Sequence, residues 1–206
     1  MSGPSASADL TVYIVDDDPA VRDSLSLLLS LRGYHTATFA TAEDFLAAVD
    51  PQWAGCVLAD IRLPGLSGLE MQGMLIQRGV RIPVVIVTGH GDVASARAAF
   101  RRDAVDFLEK PYDDETPVAA VEAAFARERA RLASHGRVRL RQDRLAALTE
   151  REREVMQLVV RGHHNKEVAD QLAISPRTVE VHKARVMAKL GARNLAELIR
   201  IADDVA

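Results

Sequence analysis

Five short apolar runs, rich in β-branched residues, recur through the first half of the chain at Leu10 to Val15, Tyr34 to Phe39, Gly55 to Ala59, Pro83 to Val87 and Ala104 to Leu108, separated by longer stretches of helical period. Runs this short suit strands buried on both faces. Strand-helix alternation closes as a parallel sheet with helices on its two sides. The expected fold of this part is α/β, a doubly wound five-stranded parallel sheet. Helix starts have local reasons: Asp18 followed by Pro19 is an N-cap with a first-turn proline, Thr41 heads a capping-type start, and Ser67 follows the turn Pro64-Gly65.

After Leu145 the strand signals vanish. Thr149-Glu150-Arg151-Glu152 is a capping box, and further helical segments run over about Asn165 to Leu172, Pro176 to Leu190 and Asn194 to Asp203, with Ser175 as N-cap and Gly191 as a stop. Between the two textures, a helix predicted from about Asp114 to Ser134 is interrupted by Gly136, and the basic stretch after it reads as a linker. The expected organisation is a disordered tail over 1–8, an α/β domain over 9–131, a linker over 132–144 and an all-α domain over 145–206.

Charge follows the same division. The net charge of -3 splits at Gly136 into -7 before it and +4 after it. An acidic first part suits a cation and a basic second part suits a polyanion such as DNA. The single cysteine, Cys56, excludes an internal disulfide and sits in an apolar run, as a buried structural thiol does. No apolar run approaches the roughly 18 residues of a membrane span, and the small, polar start lacks a signal sequence, so a cytoplasmic location is expected.

The stretch Val15-Asp16-Asp17-Asp18 crowds three carboxylates at the end of the first strand. In an open parallel sheet, ligands sit outside the carboxyl ends of the strands. Asp60 follows the third strand, Thr88 the fourth and Lys110 the fifth, so these residues share one rim with Asp16 and Asp17. Clustered like charges need a neutralising cation, and hard oxygen ligands suit Mg²⁺. A carboxylate beside a metal, a hydroxyl and an ammonium suits phosphoryl transfer to that carboxylate. Asp18 is read as the helix cap. A metal-dependent phosphatase working through Asp16 and Asp18 is the rival reading, and a receiver-like interaction module without the switch is a second.

These residues carry a family resemblance. Val15-Asp16-Asp17, Leu58 to Gly68, Val87 to Asp92 and Asp106-Phe107-Leu108-Glu109-Lys110-Pro111 resemble the motifs of two-component receiver domains, a flavodoxin-like fold, over about Asp9 to Arg131. The resemblance implies that Asp60 accepts phosphate from a sensor histidine kinase. It implies that Asp17, Asp60 and the Arg62 carbonyl bind Mg²⁺ directly while Asp16 acts through water, that Thr88 and Phe107 form a switch pair, and that the Lys110-Pro111 bond is cis. The chain departs from the pattern at Asp103, where glycine is usual.

In the second half, a short turn joins two helices, the later one beginning Ser175-Pro176-Arg177-Thr178-Val179-Glu180, as in a helix-turn-helix whose second member enters the major groove. Val179, Val186, Met187 and Leu190 can face the core, leaving Arg177, Thr178, Glu180, Val181, His182, Lys183, Arg185 and Lys189 for phosphates and base edges. Leu148 to Glu152, Gly162 to Lys166 and Ser175 to Lys189 resemble the four-helix DNA-binding domain of LuxR- and NarL-type regulators, which adds Lys166 to the DNA-facing set. The whole arrangement resembles the FixJ-like response regulators. That implies a transcription factor binding double-stranded promoter DNA, with a sensor kinase and RNA polymerase as partners. It also implies dimerisation on phosphorylation through the face of the fourth helix (Asp92 to Arg102), the fifth strand and the fifth helix. No membrane association is expected, and no enzymatic activity beyond self-phosphorylation and autodephosphorylation.

Overall fold

The structure is a computed structural model that describes residues 10–89 and 104–203. The expected tail over 1–8, the expected helix from Asp92 to Arg102 and the Asp103 departure lie outside the described residues. The chain divides into two compact units, Met1–Leu132 and Ala133–Ala206.

In the first unit, β1 (Thr11–Val15), α1 (Pro19–Leu31), β2 (His35–Phe39), α2 (Ala42–Ala48), β3 (Gly55–Asp60), α3 (Gly68–Gln77), β4 (Val84–Thr88) and β5 (Asp106–Glu109) follow in order, and α4 (Glu115–Ala146) begins in this unit and ends in the second. The strands form one sheet in the order β2-β1-β3-β4-β5. Every pairing is parallel, with Val15 opposite Ala59, Asp60 opposite Val87 and Thr88 opposite Glu109. Because side chains alternate between faces, Tyr13, Val15, Ala59 and Ile86 enter a core layer with Phe45, Met71 and Leu75, while Ile14, Cys56, Leu58 and Val85 enter another with Leu29, Val121 and Phe125. Each large apolar side chain buried this way contributes about 1.5–3 kcal/mol, so β3, buried at every residue, forms a stiff base for the residues at its end.

The caps named above form. The Asp18 side chain accepts from the Ala20 amide, Thr41 from Asp44, and Ser67 closes a reciprocal capping box with Glu70. Gly68 opens α3 against the end of β3, where an added Cβ would lie 2.2 Å from the Asp60 carbonyl oxygen. Backbone cannot yield there as a flexible side chain would. Gly68→Ala is expected to cost about 1–3 kcal/mol as an overpacking substitution, seen as a lower urea midpoint with an unchanged slope.

One sequence expectation fails. Gly136 does not interrupt the helix: α4 runs unbroken to Ala146, through the whole stretch expected as linker. A glycine in a helix interior costs only about 1 kcal/mol against alanine. The flanking Arg, Leu, Gln and Ala residues favour helix, and Leu145 packs against the core of the second unit.

That unit contains α5 (Glu150–Val160), α6 (Asn165–Leu172), α7 (Pro176–Leu190) and α8 (Leu195–Asp203). Its core gathers Val155, Val159, Val168, Val179, Val186, Leu190 and Leu198. Thr149 and Ser175 cap α5 and α7, and Gly191 ends α7 in the left-handed region. Ala173 ends α6 at φ 52°, ψ 45°, where a Cβ costs about 1–2 kcal/mol. Ala173→Gly is expected to raise the melting temperature of this unit modestly, the relief exceeding the roughly 0.4–1 kcal/mol that glycine adds to unfolded-chain entropy.

Candidate functional site

The parallel register brings the ends of β1, β3, β4 and β5 to one rim, and side chains from three loops meet there. Lys110, half-buried after β5, donates from Nζ to Asp16 Oδ2 and to Asp60 Oδ2, each at 2.7 Å. The remaining carboxylate oxygens are held by backbone: Asp16 Oδ1 accepts from the Asp18 amide at 2.9 Å and Asp60 Oδ1 from the Arg62 amide at 2.8 Å. Asp16 is 3 % exposed, Asp60 9 % and Thr88 1 %. The Thr88 carbonyl accepts from the Lys110 amide, which ties the Lys110 loop to the end of β4. The Lys110-Pro111 bond is cis. Phe107, opposite Ile86 on β4, is half-buried against the same core layer as Phe45 and Met71.

The electrostatics follow from burial. Desolvation pushes the Asp16 carboxyl above the usual carboxylate range, against the hydrogen bonds from Lys110 and the Asp18 amide that pull it down. Lys110 is pulled down by its own burial, but its two carboxylate partners outweigh that and leave it above the ordinary lysine value. The Cys56 thiol is pushed up by burial, as an inert structural thiol is.

The three carboxylates expected to share one cation are not gathered into one cluster: among the described residues no three of His, Cys, Asp and Glu are placed to hold a metal ion. Lys110 bridges Asp16 and Asp60, and Asp17, next in the chain after Asp16, is exposed. The donor chemistry nevertheless fits a hard divalent ion. Three carboxylates against one ammonium leave two negative charges, and oxygen is the only ligand type offered.

Two residues that sequence reasoning passed over belong to this rim. Arg22 on α1 donates from Nη1 to the Asp16 carbonyl at 2.6 Å, fixing the acidic loop from outside. The phenol of Tyr112 is pushed up by burial, while Lys110 pulls it down and Asp16 and Asp60 add to the rise. Each lies a few residues from a named motif, the one signal that pointed to them.

The second candidate site is the outer face of α7. At about 100° per residue, buried Val179, Val186 and Leu190 define the inner side, so Arg177, Val181 and Ala184 run along the outer ridge, and all three are exposed. Glu180 and Arg185 flank the ridge, exposed. Lys166 is exposed on α6, whereas His182 and Lys183 are half-buried. His182 Nδ1 is shut off from solvent and has no hydrogen-bond partner among the described residues. Thr178 is part of the cap, its hydroxyl 2.8 Å from Ser175 Oγ.

Lys189, expected among the DNA-facing residues, is exposed and also makes contacts within the unit. Its ammonium donates to Glu152 Oε2 at 2.6 Å and to the Ala147 carbonyl at 3.1 Å, tying α7 to the start of α5. The hydrogen bond from Lys189 and those from Thr149 bring the Glu152 carboxyl down to about 2. A depressed carboxylate pKa stabilises the fold above the ordinary value near 4.5, and that stability is lost as pH falls toward 2. Lys189→Met is therefore expected to weaken that acid dependence in circular-dichroism titrations of the helical signal.

A buried carboxylate-lysine site at the rim of a parallel α/β sheet, followed by a helix-turn-helix unit, defines a response regulator. The response regulator receiver domain family matches residues 12–122, and the luxR family of bacterial regulatory proteins matches residues 146–202. The transcriptional regulatory protein FixJ of Azorhizobium caulinodans is 45% identical over 197 residues, covering 94% of this chain and 92% of that protein. FixJ of Rhizobium meliloti is 43% identical over 194 residues, covering 94% and 95%. Among solved structures, the response regulator StyR superposes with a TM-score of 0.87 at 36% identity, covering 96% of this chain and 100% of that one. Full-length FixJ from B. japonicum gives 0.58 at 41% identity, covering 94% and 95%. The chain belongs to the FixJ-like two-component response regulators, with a receiver domain and a LuxR-type helix-turn-helix domain, and it acts in transcription regulation. No helix among the described residues is long and apolar enough to cross a membrane.

Proposed function

We propose that this regulator takes a phosphoryl group from a sensor histidine kinase onto Asp60, and that the phosphorylated form dimerises and binds promoter DNA through α7. The observation that carries the reading is the pair of 2.7 Å bonds from Lys110 to Asp16 and Asp60, an ammonium fixed beside a buried carboxylate at the mouth of the sheet. An Asp60 oxygen attacks phosphorus, the bond from phosphorus to the kinase imidazole nitrogen breaks, and the imidazole leaves with that electron pair, giving an acyl phosphate. Lys110 offsets charge on the transferring oxygens, and the Arg62 amide keeps the Asp60 carboxylate oriented. Asp17, Asp60 and the Arg62 carbonyl would hold Mg²⁺, with Asp16 acting through water; the bound ion supplies further neutralisation of the phosphoryl oxygens.

The switch then follows from packing. A phosphoryl group on Asp60 offers acceptors to the Thr88 hydroxyl, Thr88 moves inward, and Phe107 rotates into the space left. That biases the face of the fifth strand and its neighbouring helices toward a second copy, and a few kcal/mol of differential binding suffices. Dimerisation pairs two recognition helices on half-sites about one helical turn apart. On DNA, Arg177, Glu180, Val181 and Arg185 face the groove, while Lys166 and Lys183 serve phosphates, and the bound dimer works with RNA polymerase. Beyond phosphorylation and dephosphorylation of its own Asp60, the chain turns nothing over. Weighing against the phosphatase reading, the Asp18 carboxylate caps α1 through the Ala20 amide at 2.8 Å.

The test is phosphorylation of the full chain by a small-molecule phosphodonor with Mg²⁺, followed by borohydride trapping and peptide mass spectrometry. Reduction at position 60 alone is the expected outcome. Label at Asp16, or continuous phosphate release over many turnovers, contradicts the assignment.

A further inference from the structure

The second unit carries a groove that DNA recognition by α7 leaves unexplained. It is lined by Arg137, Leu140, Arg141 and Arg144 of α4, Leu190 at the end of α7 and Ile201 of α8, with a volume of about 220 Å³. Its floor is apolar and its rim carries three guanidinium groups, with no carboxylate lining it among the described residues. Leu140 is 52 % exposed there, an apolar side chain left in solvent beside positive charge. Arg144 is fixed in place by its bond to the Leu190 carbonyl, so the rim is partly preorganised.

Size decides what fits. Drug-sized ligands occupy enclosed pockets of roughly 300–1,000 Å³, and this groove is smaller and open. An apolar cavity of roughly 150 Å³ takes up one benzene ring, so the groove matches a single large apolar side chain. One buried anchor in a pocket, surrounded by complementary charge, is how a short segment gains affinity and specificity at a protein surface. Nucleic acid fits poorly, since an apolar floor offers phosphate nothing. We infer that the groove is a docking site for an acidic segment of another protein, one that seats a phenylalanine or leucine on Leu140 and Ile201 and sets flanking carboxylates against Arg137 and Arg144.

The probe is a fluorescein-labelled helical peptide of glutamate and alanine with one central phenylalanine, titrated by anisotropy with the full-length protein at low ionic strength. Replacing the phenylalanine by alanine is expected to weaken binding by about tenfold or more. Arg137→Glu and Leu140→Asp, both at exposed positions, are each expected to weaken it by about tenfold, with unchanged circular dichroism. Several results overturn the inference: equal binding of the two peptides by the wild type, which shows charge attraction alone; unchanged binding by both variants; reduced duplex-DNA binding by Arg137→Glu together with displacement of the peptide by DNA, which makes the rim a DNA contact; or a drop in sedimenting mass for Leu140→Asp alone, which makes the groove a contact between copies.

Discussion

Asp60→Ala is expected to take up no phosphate from any donor, a complete loss rather than a reduced rate. Asp60 and Asp16 are both buried, share the Lys110 ammonium and have their second oxygen held by a backbone amide, so the assignment to Asp60 rests on the resemblance of Leu58 to Gly68 to the receiver motif. Asp16 differs in that its backbone carbonyl is also clamped by Arg22. Removing the Asp60 carboxylate also removes one of two like charges around Lys110, so the variant should stay folded. Its unfolding midpoint matching or exceeding that of the wild type is the control that separates lost chemistry from lost structure.

Lys110→Met is expected to act on both. Removing a preorganised donor aimed at developing charge costs about 10²–10³-fold in rate, read as slower phosphate incorporation from the same donor. The variant also leaves Asp16 and Asp60 facing each other without their cation. Breaking a buried pair costs about 3–5 kcal/mol, and the partial exposure of Lys110, 23 % at the side chain, places the loss at or below the lower end. The pH dependence has a definite sign. Burial already raises the Asp16 carboxyl, and loss of the ammonium raises it further, so the group favours the folded state when protonated and opposes it when ionised. The variant should lose stability relative to the wild type as pH rises from the ordinary carboxylate range through the raised Asp16 value. Urea midpoints at several pH values check this, and a parallel offset at every pH contradicts it.

What the sequence made legible is what local chemistry decides. Short apolar runs between helical stretches can close in few ways, which is why each strand lies within two residues of its expected bounds. The rim followed from topology, since parallel strands put the loops after β1, β3 and β5 at one end, and Asp16, Asp60 and Lys110 needed no long-range guess. The Asp18, Thr41, Ser67, Thr149 and Ser175 caps are local by nature. What stayed hidden has the opposite character. Lys189 meets Glu152 across 37 residues of sequence, and nothing within either helix signals the pair, because Glu152 already had an explanation as the capping-box partner of Thr149. Gly136 looked like a stop because a glycine is conspicuous, but its penalty is small beside the propensity of its neighbours.

A phosphoryl group on Asp60 is expected to change the assembly state of the regulator. The most direct measurement is sedimentation velocity of the wild type and Asp60→Ala with Mg²⁺, each with and without beryllofluoride, which mimics a phosphoryl group on a carboxylate. The expected result is a shift from monomer to dimer for the wild type with beryllofluoride, and monomer in the other three samples. Dimer in both proteins regardless of beryllofluoride, or an Asp60→Ala protein that dimerises when it is added, would rule out Asp60 as the switch.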